Sequence, residues 1–249
     1  MSEHHWFEGL ADHLGAAYLR YSFTKGTAQE VGFLVEHLGL VPGMRVLDVG
    51  CGPGRHANAL GELGIEVVGV DVSERFLEVA RSFAPAGVTY RRLDARALDA
   101  DAEFDAVISL CQGAFGLGGG PAAAAPLAVD ALDPDLPVLA GMARALRPGG
   151  RLALTAFSAY YQVRYLAETD TFDAAAGVNH ETTSIRSESG VETATEMWTS
   201  CFTPRELRLL LDRVGLAVDH VWSVTPGAYR PDPPTVDQPE LLVISHRPG

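Results

Sequence analysis

A run of glycines near residue 50 is the first place where residue types and spacing indicate chemistry. The stretch "VLDVGCGPGRHANAL" places Gly50, Gly52 and Gly54 between an apolar run and a run of helical period. Glycines between a strand and a helix N-terminus let backbone N–H groups approach a ligand, because no Cβ intervenes. A dinucleotide fingerprint starting at Gly50 would need its third glycine at position 55, where Arg55 stands. The loop therefore predicts a ligand site whose spacing departs from that of dinucleotide-binding loops.

Acidic residues follow the next two apolar runs. Asp71 ends "EVVGVD", about 20 residues past the loop, where a carboxylate can accept both hydroxyls of a ribose. The alternative is a helix N-cap, although Ser73 already suits that role. Asp94 lies in "RRLDA" after the third run, and taken alone it is typical of a solvated loop residue. Asp71 is therefore the candidate for binding a ribose.

The loop from Asp48 to Gly54, D-x-G-x-G-x-G, resembles the first motif of the class I S-adenosylmethionine-dependent methyltransferases. Asp71, Asp94 and the end of "FDAVISLCQGAFG" follow in the family's order, so the resemblance covers roughly residues 40 to 157. The "CGxGRHA" form of the loop and the later "FTPRELRLLL" are similar to a group that methylates small molecules. The resemblance implies S-adenosyl-L-methionine as the cofactor and S-adenosyl-L-homocysteine as its product.

In the family the loop curls around the methionine part of the cofactor, Asp48 and the loop backbone hold its amino group, and Arg55 reaches its carboxylate. An equally good interpretation of Arg55 is an arginine in the first helical turn that bonds to a neighbouring loop. The alternative for Tyr21 is an aromatic residue of the core. The cofactor-binding residues that the resemblance implies are Tyr21, Asp48, Gly50, Cys51, Gly52, Arg55, Asp71, Val72, Asp94, Ala95 and Leu110.

Methyl transfer from a sulfonium needs alignment, exclusion of water and, for a hydroxyl acceptor, removal of a proton, so no strict catalytic motif is expected. His180 is the candidate general base, because it opens an inserted strand pair and its ordinary pKa lies near neutral pH; the alternative is a surface histidine. The predicted substrate-binding residues are Gln112, Phe115, Tyr160, Tyr161, Tyr165 and Trp198. For Tyr160, Tyr161 and Trp198 the alternative is packing under a lid, which is the more frequent use of such aromatics.

Methyltransferases of nucleobases or of protein glutamine often carry "NPPY" or "DPPF" after the fourth strand, where this chain has "SLCQGAF". A small-molecule acceptor is therefore favoured, with O-methylation slightly preferred and natural-product biosynthesis as the expected setting. The same segment lacks a cluster of metal ligands, so we expect no metal. A regulator or sensor that binds the cofactor without transfer remains the alternative, and a nicotinamide oxidoreductase is disfavoured by Arg55.

Alternation of short apolar runs with helical segments from Met44 to Phe157 predicts a doubly wound, Rossmann-like α/β sheet of about seven strands, with helices on both faces. Residues 1–40 are expected to form a helical cap that begins with one helix from Trp6 to Tyr21. Residues 41–249 are expected to form the core, with a mobile loop over 116–135 and an inserted β-hairpin lid over 160–201 after the fifth strand.

Composition and charge limit the classes of molecule that this chain is expected to bind. The 249 residues carry a formal net charge of −13, which disfavours nucleic acid and anionic lipid surfaces. The three cysteines, Cys51, Cys111 and Cys201, are widely spaced and fit free thiols in a reducing compartment. No apolar run approaches a membrane span and no leader is visible, so we expect a soluble, cytoplasmic monomer or homodimer acting on a small molecule.

Overall fold

The computed structural model describes residues 5–118, 120 and 134–249. Within these residues the chain forms ten strands and seven α-helices. The strands are β1 Arg45–Val49, β2 Glu66–Asp71, β3 Val88–Arg92, β4 Phe104–Ser109, β5 Leu146–Ser158, β6 Thr171–Asp173, β7 Val178–Arg186, β8 Glu192–Phe202, β9 Ala217–Val224 and β10 Glu240–His246. The helices are α1 Trp6–Leu14, α2 Thr27–Leu38, α3 Arg55–Glu62, α4 Glu74–Ser82, α5 Leu136–Ala145, α6 Ala159–Arg164 and α7 Pro204–Arg213.

The central sheet has the order β3-β2-β1-β4-β5, all parallel. It continues through β10, which is antiparallel to β5, and then β9, which is antiparallel to β10. The chain reverses its direction across the sheet between β1 and β4, and ligands of such sheets bind where the carboxyl ends of the strands meet that reversal. Because β10 runs antiparallel, its first residues lie at this same edge, with Glu240 opposite Phe157 of β5. The Rossmann-like α/β class predicted from the alternating pattern is confirmed.

Helices cover both faces because the strands are buried on both sides. On one face α5 and α7 pack through Leu139, Met142 and Leu211 against the sheet. On the other face α2 and α3 pack through Leu34 and Leu60. The two cores hold the sheet rigid, so that its carboxyl edge can position a ligand.

The N-terminal segment differs from the expected single helix between Trp6 and Tyr21. α1 ends at Leu14, and two 3₁₀ helices, Gly15–Arg20 and Ser22–Gly26, follow it. Gly15 has a φ of +46°, and the N–H of Ala16 donates to Glu188 Oε1 over 2.8 Å instead of continuing the helix. The prediction was wrong beyond Leu14 because a distant glutamate competes for the backbone there.

A second, antiparallel sheet of β6, β7 and β8 follows β5 in the chain. β7 and β8 lie where the sequence predicts a strand pair, whereas β6 and α6 were not foreseen. The end of β8 joins the central sheet, since Cys201 and Phe202 pair with Phe157 and Ser158. The tip of the hairpin reaches the N-terminal segment and α4, where Glu188 Oε1 lies 2.6 Å from Arg75.

Two further features predicted from the sequence are the mobile loop over 116–135 and the lack of a membrane span. The predicted mobile loop over 116–135 falls largely on residues 119 and 121–133, which lie outside the described residues. None of the helices in the described ranges combines the length and the apolar character needed to cross a bilayer.

Candidate functional site

The glycine loop connects the carboxyl end of β1 to the first turn of α3. Gly50, Gly52 and Gly54 have φ angles of +71°, +53° and +78°, which residues with a Cβ rarely adopt. The N–H of Gly50 donates to the carbonyl of Val70 over 2.8 Å, which fixes the loop to β2. A Cβ on Gly50 would stand 2.1 Å from the carbonyl carbon of Gly113. Position 50 must therefore be glycine for the turn after β4 to approach the loop.

Asp71 ends β2 beside this loop, with its carboxylate buried. Its two oxygens accept hydrogen bonds from the N–H groups of Gly52 and Ser73, each over 2.8 Å. Ser73 in turn caps α4 by accepting from the N–H of Phe76, so the capping role falls to Ser73. Burial raises the pKa of Asp71 to about 6, although the hydrogen bonds from Ser73 and Gly52 oppose the shift. The N–H of Val72 adds a third hydrogen bond, so about one of the four acceptor sites of the carboxylate is left for a ligand hydroxyl.

A narrow cavity of about 40 Å³ lies around the carboxyl ends of β2 and β3. Asp94 lies in its wall and caps the 3₁₀ helix Ala95–Ala97 by accepting from the N–H of Arg96 over 2.9 Å. The Arg96 side chain also bonds to the Asp94 carboxylate and lowers its pKa. The predicted cofactor-binding residues that line this cavity are Gly50, Asp71, Val72, Asp94 and Ala95.

A larger cavity of about 440 Å³ shares the walls formed by Gly50, Asp71 and Gly113. The N-terminal segment, the glycine loop, the β7–β8 hairpin and the start of β10 all contribute to it. Among its lining residues are Tyr18, Tyr21, Phe76, Gln112, Glu181 and Glu240. The predicted residues Gly52, Asp71, Tyr21 and Gln112 therefore meet at one cavity.

The turn after β4 is strained where it meets this cavity. Cys111 and Gln112 have φ angles of +51° and +50°, and such backbone costs about 1–3 kcal/mol for residues with a Cβ. The N–H of Cys111 donates to Thr155 Oγ1 over 2.7 Å and holds the turn. The amide nitrogen of Gln112 is buried without a hydrogen-bond partner among the described residues. The amide lies close to the carboxyl of Glu240, whose pKa it lowers.

Arg55 lies behind the glycine loop and lines neither cavity. Its guanidinium forms an ion pair with Glu30, donates to Thr27 Oγ1 over 2.9 Å and contacts Cys111 Sγ at 2.7 Å. Both side chains of the ion pair are buried. The structure therefore places Arg55 in a buried polar cluster. This agrees with the alternative interpretation, in which Arg55 is a first-turn arginine bonded to neighbouring segments.

Glu30 joins three elements through this cluster. Besides Arg55, it contacts His56 Nε2 at 2.7 Å and accepts from the N–H of Gly227 over 2.7 Å. Burial lowers the pKa of His56 to about 4, so the ring is neutral at pH 7 and donates its proton to Glu30. Burial opposes ionisation of Glu30, but His56 and Arg55 outweigh it and lower its pKa. α2, α3 and the loop before β10 are thereby tied to one carboxylate.

Asp48, Cys51 and Leu110 are buried and line neither cavity. One Asp48 oxygen has no hydrogen-bond partner among the described residues. Burial raises the pKa of Asp48 to about 7, with Arg55 opposing the shift and the charge of Asp71 adding to it. These three residues support the loop from behind.

The β7–β8 hairpin presents alternate residues to the large cavity, as a strand must. Glu181, Thr183 and Ile185 of β7 line it, together with Met197 and Thr199 of β8. Glu181 and Met197 are opposite each other in the ladder, so both side chains lie on the face that borders the cavity.

His180 and Trp198 are paired in the same ladder but lie on its other face. Their rings stack with centroids 4.8 Å apart, and Trp6 packs edge-on against Trp198 at 5.5 Å. His180 Nε2 lies 3.4 Å from Glu196 Oε1. Neither residue lines the large cavity, so the structure does not bring the predicted general base to the other site residues.

The other predicted substrate-binding residues also lie away from the cavity. Phe115 stacks on Phe202 in the core, with ring centroids 4.7 Å apart. Tyr160 and Tyr165 are half exposed, and Tyr161 packs on Tyr165 at 4.7 Å. Tyr165 donates to Asp237 over 2.7 Å. An aromatic residue type alone does not tell whether its side chain faces a site.

Sequence reasoning missed Glu181 and Glu240, the two carboxylates on the far side of the cavity. Glu240 precedes the apolar run "LLVIS" and is itself buried, with one oxygen lacking a hydrogen-bond partner among the described residues. An isolated acid that opens a fully buried strand is a signal that could have revealed it, because buried carboxylates are rare without a role.

These residues fit S-adenosylmethionine, the cofactor that the sequence resemblance implies. The backbone at Gly52 leaves a space where a Cβ would meet only Phe76, at 4.0 Å, so a ligand can lie against the loop. The Asp71 carboxylate lies beside it, and Asp71 also lines the narrow cavity that Asp94 and Ala95 border. A nucleoside end and a methionine end therefore both find surfaces of suitable chemistry.

Comparison with known proteins gives an independent measure of the same region. Residues 46–119 match a family model described as a methyltransferase domain. The ubiquinone biosynthesis O-methyltransferase of Roseobacter denitrificans is 46% identical over 72 residues, which are 27% of this chain and 29% of that protein. The chain spans less than half of the length of the curated relatives that it matches.

Two solved structures align with nearly the whole chain. The CcbJ methyltransferase from Streptomyces caelestis has a TM-score of 0.73 and 19% identity, covering 99% of this chain and 98% of that one. CalS10 from Micromonospora echinaspora, an amino pentose methyltransferase involved in calicheamicin biosynthesis and solved with S-adenosylmethionine bound, has a TM-score of 0.62 and 21% identity, covering 93% and 95%. At these identities the likeness establishes the fold. Residues 46–119 therefore match a methyltransferase domain, and nearly the whole chain has the fold of these two methyltransferase structures.

Proposed function

We propose that this chain transfers a methyl group from S-adenosylmethionine to a small molecule held in the large cavity. One observation carries the proposal: Gly50, Gly52 and Asp71 line the same cavity of about 440 Å³ as Tyr18 and Glu240. A site of this size and mixed lining is typical of small-molecule pockets. A cofactor on the loop would therefore share one cavity with an acceptor.

When bound, S-adenosylmethionine supplies an electrophilic methyl group on a sulfonium. In the proposal, Asp71 accepts the ribose hydroxyls, while Asp94 and the Ala95 backbone meet the adenine. The loop backbone from Gly50 to Gly52 holds the methionine end, supported from behind by Asp48. Tyr21 closes the cavity from the N-terminal segment, and Arg55 acts by fixing α3 and the turn after β4.

The chain's part in the reaction is to align the acceptor and exclude water. Leu10, Leu14 and Ile185 give the cavity an apolar wall beside its few polar groups. O-methylation and a role in natural-product biosynthesis stay predictions from the sequence. So do a cytoplasmic location, for which the unpaired Cys51, Cys111 and Cys201 are the support, and a monomeric or homodimeric state.

The first test is calorimetric titration of the protein with S-adenosylmethionine and S-adenosylhomocysteine, followed by detection of S-adenosylhomocysteine released with a panel of small acceptors. Micromolar binding and release with at least one acceptor support the proposal. Binding with no release from any acceptor would favour the cofactor-binding regulator instead. Absence of binding by folded protein would overturn both.

A further inference from the structure

The large cavity carries negative charge opposite the cofactor loop. Glu181 reaches it from β7 and Glu240 from the start of β10. None of the described residues that line it is lysine, arginine or histidine. The nearest guanidinium in the polar cluster, that of Arg55, is buried behind Cys111 and paired with Glu30. Once Glu240 is ionised, a ligand in this part of the cavity therefore meets a negative potential that the charge of Arg55 offsets only in part.

Glu240 stands apart from the residues assigned to the cofactor. Asp71 lies at the end of β2 and Glu240 at the start of β10, with β1, β4 and β5 between them. Four strand spacings of about 4.8 Å separate the backbones of the two residues by roughly 19 Å across the edge of the sheet. The nucleoside end and Glu240 thus mark opposite sides of one cavity.

The environment of Glu240 makes it a proton acceptor of suitable strength. Burial raises its pKa to about 8, and the charge of Glu30 adds to the shift, whereas Arg55 and the Gln112 amide oppose it. The other titratable groups around it are Cys111, Tyr18 and Tyr229, whose own pKa values are raised, so that they are neutral at pH 8. A base matched to the working pH is the most effective in proton transfer.

Aromatic rings complete a surface for a cation. Tyr18 packs edge-on against Phe76 at 5.1 Å and against Phe23 at 5.3 Å, and all three line the cavity. Ring faces attract a positive nitrogen, more strongly when water is excluded. An anionic acceptor, such as a carboxylate or a phenolate, would instead be repelled by Glu181 and Glu240 when these carboxylates are ionised.

We propose that the methyl acceptor is an amine, which enters as its ammonium, is held between Glu181 and the aromatic wall, and gives one proton to Glu240. This inference rests on the proposed methyl transfer and names its substrate class; it departs from the slight preference for oxygen in the sequence analysis.

The step is balanced in atoms and charge. The Glu240 carboxylate takes a proton from the ammonium, leaving a neutral amine and a carboxylic acid. The amine nitrogen then forms a bond to the methyl carbon as the carbon–sulfur bond breaks, so the positive charge moves from sulfur to nitrogen and the neutral thioether S-adenosylhomocysteine leaves. The Glu240 proton is released to solvent as the products leave.

The experiment compares wild type with Glu240→Gln, which keeps the shape of the side chain, and with Glu36→Gln on the exposed face of α2 as the control. The probes are primary and secondary amines, each with an alcohol and a carboxylic acid on the same carbon skeleton. Calorimetry with protein saturated by S-adenosylhomocysteine measures their binding, and release of S-adenosylhomocysteine from S-adenosylmethionine measures transfer. Titrations of both cofactor forms accompany every variant.

The expected result is that amines bind wild type and accept methyl, while the matched alcohols and acids bind at least about tenfold more weakly. Glu240→Gln should lose about tenfold in amine affinity, and it should lose the rise in transfer rate toward pH 8 that ionisation of Glu240 gives. Glu36→Gln should behave as wild type.

Two results would overturn the inference. One is transfer to alcohols or acids, or to no probe, by protein that binds the cofactor. The other is a Glu240→Gln variant that binds S-adenosylmethionine more weakly than wild type does but binds S-adenosylhomocysteine equally well. The carboxylate would then interact with the sulfonium of the cofactor and not with the acceptor. If wild type binds neither cofactor form, the proposed function fails before the acceptor is in question.

Discussion

The two sides of the large cavity are built from different materials. The cofactor side consists of backbone at the ends of β1 and β2, where Gly50 admits no Cβ beside Gly113. The acceptor side consists of side chains on β7 and β10, with the carboxylates of Glu181 and Glu240 among them. Backbone geometry changes only if the chain path changes, whereas side chains can be exchanged on a constant path. The difference suits one side to an invariant ligand and the other to a ligand that varies between relatives.

The largest effect expected from this comparison is on folding. Gly50→Ala would place a methyl group 2.1 Å from backbone of Gly113 at a φ of +71°, and we expect a loss of at least about 3 kcal/mol in the free energy of unfolding. Gly52→Ala meets nothing closer than Phe76 at 4.0 Å and should lose only about 1 kcal/mol. Urea denaturation of both variants measures the contrast. Equal losses would show that the backbone of the loop adjusts and is not set by contact with the turn after β4.

The next effect concerns cofactor affinity. Asp71→Ala removes the carboxylate that accepts from the N–H groups of Gly52 and Ser73. These buried N–H groups, and the ribose hydroxyls of a bound cofactor, would then lack an acceptor. We expect a loss of about 2–3 kcal/mol, or roughly 30- to 150-fold, in affinity for S-adenosylhomocysteine by calorimetry. Asp101→Ala, in an exposed turn, is the matched control. Unchanged affinity in a folded Asp71→Ala protein would remove Asp71 from the cofactor side.

On the acceptor side, the same comparison predicts a gain in stability. The pKa of Glu240 is about 8 in the folded protein against an ordinary 4.5, so the folded state binds the proton more tightly and wild type loses stability as pH rises from about 4.5 to 8. Ligand-free Glu240→Gln should therefore already be more stable than wild type by about 2 kcal/mol at pH 6, with little difference near pH 4. Urea denaturation at both pH values tests this. A difference that does not grow with pH would place Glu240 in a better solvated setting.

The smallest effect separates the two faces of the hairpin. Glu181→Ala removes a side chain of the cavity wall and should weaken acceptor binding by about 1 kcal/mol, or roughly fivefold. His180→Ala, one residue away on the opposite face, should change the Michaelis constant less than about twofold. Steady-state kinetics with the best acceptor of the panel gives both values. The reverse ranking would restore His180 as the general base.

The glycine loop and the acids of the proposed cofactor side could be located from the sequence, because their signals are local. Three glycines at fixed spacing, an acid at the end of the next strand and a second acid after the third are readable without knowing what packs on them. The end of α1 could not be foreseen, since Gly15 and Ala16 depart from the helix toward Glu188 at the far hairpin tip. Such competition is visible only when the chain is folded.

The acceptor side was harder to predict for a reason of register. In a strand, neighbouring residues face opposite sides, so the choice between His180 and Glu181 depends on where the hairpin lies. Sequence patterns located the hairpin but not its inward face. The tyrosines at 160, 161 and 165 raised the same difficulty, because aromatic residues serve surfaces, cores and sites alike.

The strained turn at Cys111 and Gln112 has a consequence for laboratory evolution. Two successive residues with positive φ hold energy that glycine would release, so Gln112→Gly is expected to raise the melting temperature while removing the buried amide from the cavity. A library screened only for heat resistance should therefore accumulate glycine at these positions. A library screened for turnover should keep the strain, and the two screens would diverge first at this turn.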